Sequence, residues 1–393
     1  MVGKKKLCIV TLVLLITLSS LGAAENPIVT MNLLPTLSYK VHSDLWETAF
    51  NGDLSVALSS KREGNVRGEV VLKANTLIPP KKLDDVLYKA YFKARFPSFR
   101  LTAGKTRLPW GDGVLFNAGD VLYKAYFRAR FPSFRLTAGK TRLSWGDGML
   151  FNAGDVLYGS NSTSVSLTQT ELRSTTSWLA SVNYPLGFFS FAEVVLMPSE
   201  ATKPSDTFFG VRFYTIIKDI KVEGGYATMQ ESGERLHKPY LSLQGNLGFA
   251  WYLSTSVALP TTGDSWMISG GLFHLVELAL DRSLTLRLEF LSRPFGSWEA
   301  GPVSDSSATL LLYPELVFAY SPSLSFNLRS IISPLDLSAM STLGVSWNIF
   351  EAFNLIGSLS LATSDDGDLF AWSPTNPGKP ASFSATVGSS WIF

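Results

Sequence analysis

Three histidines, His42, His237 and His274, are the side chains best suited to metal binding or proton transfer, but none lies in a recognisable motif. No two of them have HExxH spacing, which places two imidazoles on one helical face for zinc. The only cysteine, Cys8, lies near the start of the chain, so we expect neither a disulfide nor a thiolate metal site. The sequence therefore predicts no metal and no cofactor.

Two glycine- and aspartate-rich stretches look superficially like calcium loops. They are GDGVLFNAGD at residues 111–120 and GDGMLFNAGD at residues 146–155. Neither has the carboxylate spacing of an EF-hand loop, whose ligands recur at alternate positions. We interpret both as loop turns rather than ion sites.

Basic residues form the most informative chemical pattern. In residues 88–96, YKAYFKARF, alternate positions are apolar and the positions between them carry Lys89, Lys93 and Arg95. Charged stripes of this kind bias which ions enter a pore; the alternative is that they only solvate a wall and pair with acids such as Glu69. The predicted pore-lining set is Arg67, Lys73, Lys89, Lys93, Arg95, Arg100, Lys124, Arg128, Arg130 and Arg135.

Alternating segments of about ten residues carry these side chains, beginning near Thr30. Alternation with period two predicts strands with two different faces. In a soluble sandwich the apolar face meets another sheet, whereas in a membrane barrel it meets lipid and the polar face lines water.

The connections distinguish these two environments. Short turns such as residues 131–134, 218–221 and 245–248 alternate with long polar connections. We assign the long class to residues 145–163, 198–206, 229–239, 293–307 and 364–380. Short periplasmic turns alternating with long outer loops are typical of outer-membrane barrels.

The first 24 residues have the features of a secretory signal peptide. Lys4, Lys5 and Lys6 precede an apolar run from Leu7 to Leu18 and small residues at 22–24. Without those three lysines the 34 basic residues fall to 31, against 32 acidic residues, so a nucleic-acid partner is not expected. The mature chain is predicted to be residues 25–393.

Residues 85–119 and 120–154 are near copies that differ at three positions, Lys93/Arg128, Pro109/Ser144 and Val114/Met149. Each copy is predicted to be one hairpin with its outer loop. Stacked repeat folds need at least about three units, so a tandem duplication explains the pair better; an error in gene assembly would look the same.

The chain ends in FSATVGSSWIF, with Phe383, Trp391 and Phe393 on one parity together with Ala385 and Val387. This end resembles the C-terminal signal of bacterial outer-membrane proteins, which ends in an aromatic residue. The resemblance implies that the barrel-assembly machinery reads this end, and the overall pattern resembles the porin-like class.

We therefore predict an all-β fold, a transmembrane antiparallel up-and-down β-barrel of about 20 strands, within a range of 16–20. The number is even, with both termini periplasmic. The stretch 165–184 is interpreted as one long strand. Barrels of 16 to 18 strands already leave an aqueous channel, and strand-like alternation begins too soon after the signal to leave room for a plug domain.

The predicted function is a porin-like outer-membrane channel for passive diffusion of small polar or anionic solutes. The alternatives are a FadL-like transporter of hydrophobic compounds, or a surface adhesin or structural barrel. No serine stands in a motif that would indicate an enzyme. The expected partners are outer-membrane lipid, the assembly machinery and small solutes, and homo-oligomerisation stays open.

Overall fold

The computed structural model describes residues 28–40, 45–59, 66–75, 87–95, 99–105, 123–131, 133–141, 143–158, 177–198, 207–231, 234–259, 266–294, 309–350, 353–364, 368–370 and 383–392.

Strands make up nearly all of these residues, with the following bounds. The first ten are β1 (Ile28–Lys40), β2 (Leu45–Ser59), β3 (Val66–Asn75), β4 (Leu87–Arg95), β5 (Phe99–Lys105), β6 (Tyr123–Arg130), β7 (Arg135–Thr141), β8 (Ser177–Pro185), β9 (Phe191–Met197) and β10 (Phe208–Ile217). The others are β11 (Ile220–Glu231), β12 (Glu234–Asn246), β13 (Ala250–Val257), β14 (Trp266–Leu278), β15 (Arg282–Arg293), β16 (Thr309–Ser321), β17 (Leu324–Ser333), β18 (Ser338–Phe350), β19 (Phe353–Thr363) and β20 (Phe383–Ile392).

Each strand pairs antiparallel with the next one along the chain, and β20 also pairs with β1. The predicted all-β, antiparallel, up-and-down architecture is thereby confirmed for the described residues. No described residue belongs to a helix long and apolar enough to cross a membrane.

The sheet has two faces of opposite character, as the alternation of the sequence predicts. On β18, Thr342 is buried at 3% exposure, whereas its neighbour Leu343 is 49% exposed. We call the face that carries Thr342, Glu193 and Glu289 the inner face, and the opposite one the outer face. Cross-strand partners lie on the same face. The register of each strand pair therefore assigns the residues of the next strand to the inner or the outer face.

The outer face exposes large apolar side chains on strand after strand. It includes Trp178, Val182, Val194, Leu196, Phe213, Leu241, Leu253, Leu272, Leu286, Leu288, Leu316, Phe326, Leu328, Leu343, Trp347, Leu359, Leu361 and Val387. The inner face buries polar side chains, among them Glu193, Glu223, Ser242, Glu289 and Glu315. A water-soluble sheet shows the reverse arrangement.

One predicted connection is wrong. Residues 229–239 were assigned to a long polar loop, but β11 continues to Glu231 and β12 begins at Glu234. Its charged residues mark strand ends rather than a loop, because paired antiparallel strands tolerate polar side chains on a face that meets water. Within the stretch interpreted as one long strand, 165–184, the structure describes β8 from Ser177, and residues 159–176 lie outside the described ranges.

The two near copies contribute one hairpin each. The first supplies β4 and β5, and the second supplies β6 and β7, with closely matching registers. The predicted signal peptide, residues 1–24, and Phe393 lie outside the described residues.

Candidate functional site: a chain segment docked on the inner face

Residues 143–158, which follow β7, leave the sheet and lie against its inner face; we call them the inner segment. Trp145, Leu150, Phe151 and Asn152 are fully buried, each at 0% exposure. The predicted turns of GDGMLFNAGD are present, but the motif alone did not indicate where they lie. The stretch turns, but it does so inside the sheet's concavity and not at its rim.

Asn152 fixes the local conformation of the inner segment. Its side-chain amide donates to the Trp145 carbonyl at 2.9 Å, and its side-chain oxygen accepts from the Gly154 amide at 2.9 Å. Gly146 and Gly148 have φ of +63° and +133°, values that a residue with a Cβ rarely adopts. The glycines of the motif therefore serve a compact turn and not an ion site.

One end of the segment is held by the Trp145 anchor, which comprises Trp145, Glu193, Arg212, Glu223 and Tyr240. The Trp145 indole N–H donates to Glu193 at 3.1 Å, and the Gly146 amide donates to Glu223 at 2.7 Å. Arg212 links the two carboxylates, at 2.6 Å from Glu193 and 3.4 Å from Glu223. Tyr240 donates its hydroxyl to Glu223 at 2.9 Å and stacks on Trp145.

Inner-face glycines make room for these rings. A Cβ on Gly210 would lie 2.7 Å from the Trp145 ring, and one on Gly225 would lie 2.5 Å from the Tyr240 ring. Real Cβ atoms do not approach other atoms so closely. The sheet is therefore shaped to receive the segment at this point.

The middle of the segment is held by the Glu289 anchor, in which one carboxylate accepts three backbone amides. The amides of Met149, Leu150 and Phe151 donate to Glu289 at 2.9, 2.9 and 3.0 Å. Glu289 is 1% exposed. Hydrogen bonds to a charged acceptor are stronger than neutral ones, so this glutamate orders three consecutive residues.

Glu289 belongs to a row of alternating acidic and basic side chains on neighbouring strands of the inner face. Arg287 lies 3.3 Å from Glu289 and 3.0 Å from Glu315, and Arg329 lies 2.7 Å from Glu315. Breaking one member of a buried pair leaves an uncompensated charge at a cost of about 3–5 kcal/mol. These ion pairs therefore fix the position of the Glu289 carboxylate, which holds the segment.

Apolar contacts also hold the middle of the segment. Leu150 and Phe151 pack with Tyr313, Ile331 and other buried residues on β15–β18, and with Leu369 and Phe370 from the connection before β20. That connection is held by Asp336, which accepts from the Leu369 amide at 2.8 Å. Burial opposes ionisation of Asp336, but hydrogen bonds from Leu369, Ser333 and Ser338 outweigh it and lower its pKa.

Asp147 of the inner segment pairs with a basic residue of the sheet. Its carboxylate lies 2.9 Å from the Lys221 ammonium. Burial raises the pKa of Asp147, and the attraction of Lys221 only partly offsets this. Among the described residues, no group of three or more histidine, cysteine and acidic side chains could hold a metal ion.

The predicted pore-lining residues occupy inner-face register positions on β3–β7. Arg67 pairs with Lys93, Arg95 with Arg100, Arg100 with Arg128, and Arg130 with Arg135. Arg135 in turn pairs with Asn183, which pairs with Glu193 of the Trp145 anchor. Lys73, Lys89 and Lys124 lie on the same face, because they pair with the inner-face positions Ser55, Val71 and Gly104, respectively.

The side chains of Arg128 and Arg135 are exposed. The register therefore gathers the predicted set on one sector of the inner face, β3–β7, next to the strands that hold the docked segment. Their role in lining a pore stays a prediction.

Sequence reasoning missed the anchors, although the sequence carries a signal for them. Residues 310–313 of β16 and 194–197 of β9 are apolar on both parities, as in strands buried on both faces. Leu150 and Phe151 are also unusually apolar for a polar outer loop. Together these features indicate that something covers the inner face there.

At the C-terminal strand, the register places Phe383 and Trp391 on the outer face, opposite Leu361 and Phe353 of β19. Ser384, Thr386 and Ser390 take the inner face. The reading of Phe383, Trp391 and Phe393 as an assembly signal stays a prediction.

No family model matches this chain, and no curated protein matches it in sequence. The chain is similar to the crystal structure of Acinetobacter baumannii OccAB3, with 10% identity, a TM-score of 0.49, and coverage of 95% of this chain and 99% of that one. It is also similar to Pseudomonas aeruginosa OccK11 (OpdR), at 9% identity, a TM-score of 0.45, and coverage of 93% and 96%.

A variant of the Rhodopseudomonas blastica porin gives 10% identity and a TM-score of 0.40, covering 93% of this chain and 100% of that one. Identities and scores this low do not decide function. The function is therefore inferred from the polarity of the two faces and from the docked segment.

Proposed function

We propose that this protein is a passive channel of the bacterial outer membrane for small polar or anionic solutes. The observation that carries the proposal is the reversed polarity of the sheet. Its outer face exposes leucine, valine and tryptophan, whereas its inner face holds carboxylates and guanidinium groups. Lipid outside and water inside are the surroundings in which that arrangement is stable.

The pairing of β20 with β1 supports a closed barrel of 20 strands. Closure removes the unpaired edges that hydrocarbon would leave unsatisfied. An even strand number brings both termini to one side, which we assign to the periplasm together with the short turns.

The inner segment supports a restricted pore. It extends from β9–β12, where Trp145 is anchored, to β15–β18, where Phe151 is anchored. A chain segment fixed across a lumen narrows it and leaves the passage along the remaining wall. In this protein that wall includes β3–β7, with its ten basic positions, so anions are the preferred solutes.

The remaining features support the same location. The predicted signal peptide provides export, and the aromatic C-terminal strand provides a signal for the barrel-assembly machinery. The FadL-like alternative is less well supported, because the inner segment is held by ionic groups that would disfavour a hydrophobic cargo. The adhesin alternative has no observation in its favour.

Reconstitution in planar bilayers tests the proposal. The mature protein should form discrete conducting steps, and under a KCl gradient the reversal potential should have the sign of an anion-preferring pore. An inserted protein that does not conduct would contradict the channel proposal, and a cation-preferring pore would contradict the assigned solute class.

A further inference from the structure

The outer face of β14–β17 carries a groove of about 620 Å³. Its lining is mainly apolar, with Leu272, Leu286, Leu288, Pro314, Leu316 and Leu328 among its residues. This volume lies within the range of cavities that bind small ligands, about 300–1,000 Å³.

Pro314 explains why a groove forms here. It lies within β16, lacks a backbone N–H, and carries a short ring between flanking leucines. The β16–β17 ladder pairs Leu312 with Ile332 and then Glu315 with Arg329, leaving out the two residues between. The short ring of Pro314 and the interrupted ladder together leave a depression in the outer face.

Arg282 supplies a positive charge on the same face. It lies at the turn end of β15, where it pairs with Leu278. Along β15 it is four residues, about 13 Å, from Leu286 in the groove. Its guanidinium lies 4.5 Å from the centre of the Tyr320 ring. No ion pair to this guanidinium occurs among the described residues.

We propose that an anionic glycerophospholipid binds at this place, with its phosphate against Arg282 and an acyl chain in the groove. The inference rests on the proposed function, because it requires the outer face to lie in a membrane. A planar guanidinium matches phosphate oxygens in pairs, and its stem can lie along apolar surface with the head at the boundary. The His274 imidazole in the lining supplies a polar group for the ester region.

Charge favours a lipid over a second copy of the chain. In the described parts of β8–β20, no outer-face register position carries a carboxylate. A neighbouring copy packed wall to wall would therefore leave Arg282 without an anion. A phospholipid supplies both the anion and the apolar chain.

Native mass spectrometry of the mature protein tests this inference after reconstitution in nanodiscs of equal parts phosphatidylcholine and phosphatidylglycerol. The wild type should retain one phosphatidylglycerol after detergent release. Arg282→Gln should reduce that retention about tenfold, since it removes a charge-assisted contact, and Arg282→Lys should restore part of it.

Two matched pairs separate headgroup from chain. Arg235→Gln removes an outer-face arginine at the other end of the strands and should leave retention unchanged. Leu288→Trp fills the groove and should abolish retention, whereas Leu253→Trp, on the outer face of β13 but outside the groove, should not. Equal retention of phosphatidylcholine, retention unaffected by Arg282→Gln or Leu288→Trp, capture of lipid A instead, or a protein dimer in place of lipid would overturn the inference.

The conductance of Arg282→Gln distinguishes the two proposals. Unchanged conductance with lost lipid supports both. A wild type that retains the phospholipid but does not conduct contradicts the proposed function alone. A conducting wild type that retains no anionic lipid contradicts this inference alone.

Discussion

The inner face has two sectors that use charge in different ways. In the anchored sector, β9–β18, four buried glutamates each contact a basic side chain, and two of them hold the backbone of the inner segment. In the basic sector, β3–β7, ten inner-face positions are basic and Glu69 is the only acidic one. The balanced charges of the anchored sector hold the inner segment in place, whereas the excess positive charge of the basic sector can act on a solute.

Deleting the inner segment should produce the largest change. Replacing residues 145–155 by a short Gly-Ser linker removes the segment that covers the anchored sector, so we expect conductance to rise severalfold. Anion preference should fall, because ions then pass farther from the basic wall and are screened within about 8 Å at physiological salt. Single-channel recording in KCl measures both.

A milder variant provides the control. Glu289→Gln keeps the size of the side chain but removes the charge that three amides share, at a cost of about 1–3 kcal/mol. It should give intermittent openings to the larger conductance and a lower melting temperature. A steady wild-type conductance in both variants would mean that the inner segment does not lie in the path of ions.

Neutralising the basic sector should have the next largest effect. We expect changing Lys89, Lys93, Arg95, Lys124, Arg128 and Arg130 to glutamine to move the reversal potential toward cations. The shift should grow as salt falls, because the Debye length increases from about 8 Å at 0.15 M to about 30 Å at 0.01 M.

The double variant Lys221→Gln with Asp147→Asn is the matched control. It removes one positive and one negative charge from the anchored sector, so the reversal potential should stay near the wild-type value. A similar shift in both variants would remove the distinction between the sectors.

Deleting one near copy should have a smaller effect. Removal of residues 85–119 or of 120–154 takes two strands and four of the ten inner-face basic positions from the wall. Diameter grows about linearly with strand number, so the cross-section should fall by roughly a fifth and anion preference should weaken. Liposome swelling and reversal potentials measure these changes.

The two deletions also control each other. The resulting chains differ at three residues only, since the copies themselves do. Both keep residues 159–176, the length of chain that returns from the inner segment to β8. Opposite behaviour of the two variants would show that the copies are not interchangeable.

The smallest expected effect is a pH dependence set by Asp147. Burial raises its pKa, so as pH falls this carboxyl is neutralised before ordinary exposed carboxyls, and Lys221 is left with an excess charge. Anion preference should therefore rise slightly on acidification. Because the folded-state pKa is raised, the contribution of Asp147 to stability is greatest at low pH and is lost as pH rises through that pKa.

Reversal potentials measured between pH 7 and pH 4 check this dependence. Asp147→Asn should abolish its early part and leave the later titration of other carboxyls. An unchanged profile in that variant would assign the effect elsewhere.

The strands could be predicted from the sequence because alternation and turn residues act locally. The parity of residues 88–96 gives the face of β4, and the ladder carries it to its neighbours. The inner segment could not be predicted in the same way, because its conformation is decided by side chains far along the chain. Glu289 and Phe151 are 138 residues apart, and nothing in GDGMLFNAGD itself encodes that contact.

That separation also has a consequence for biogenesis. Contacts between distant residues are slow to form, because loop closure must come before any gain from the contact. The carboxylate that captures Phe151 lies on β15, so the segment can dock only after much of the wall that follows it has assembled. Pulsed hydrogen exchange should show the Leu150 and Phe151 amides becoming protected after those of β9–β13. A newly inserted molecule should therefore leak most in the interval between closure of the sheet and docking of the inner segment.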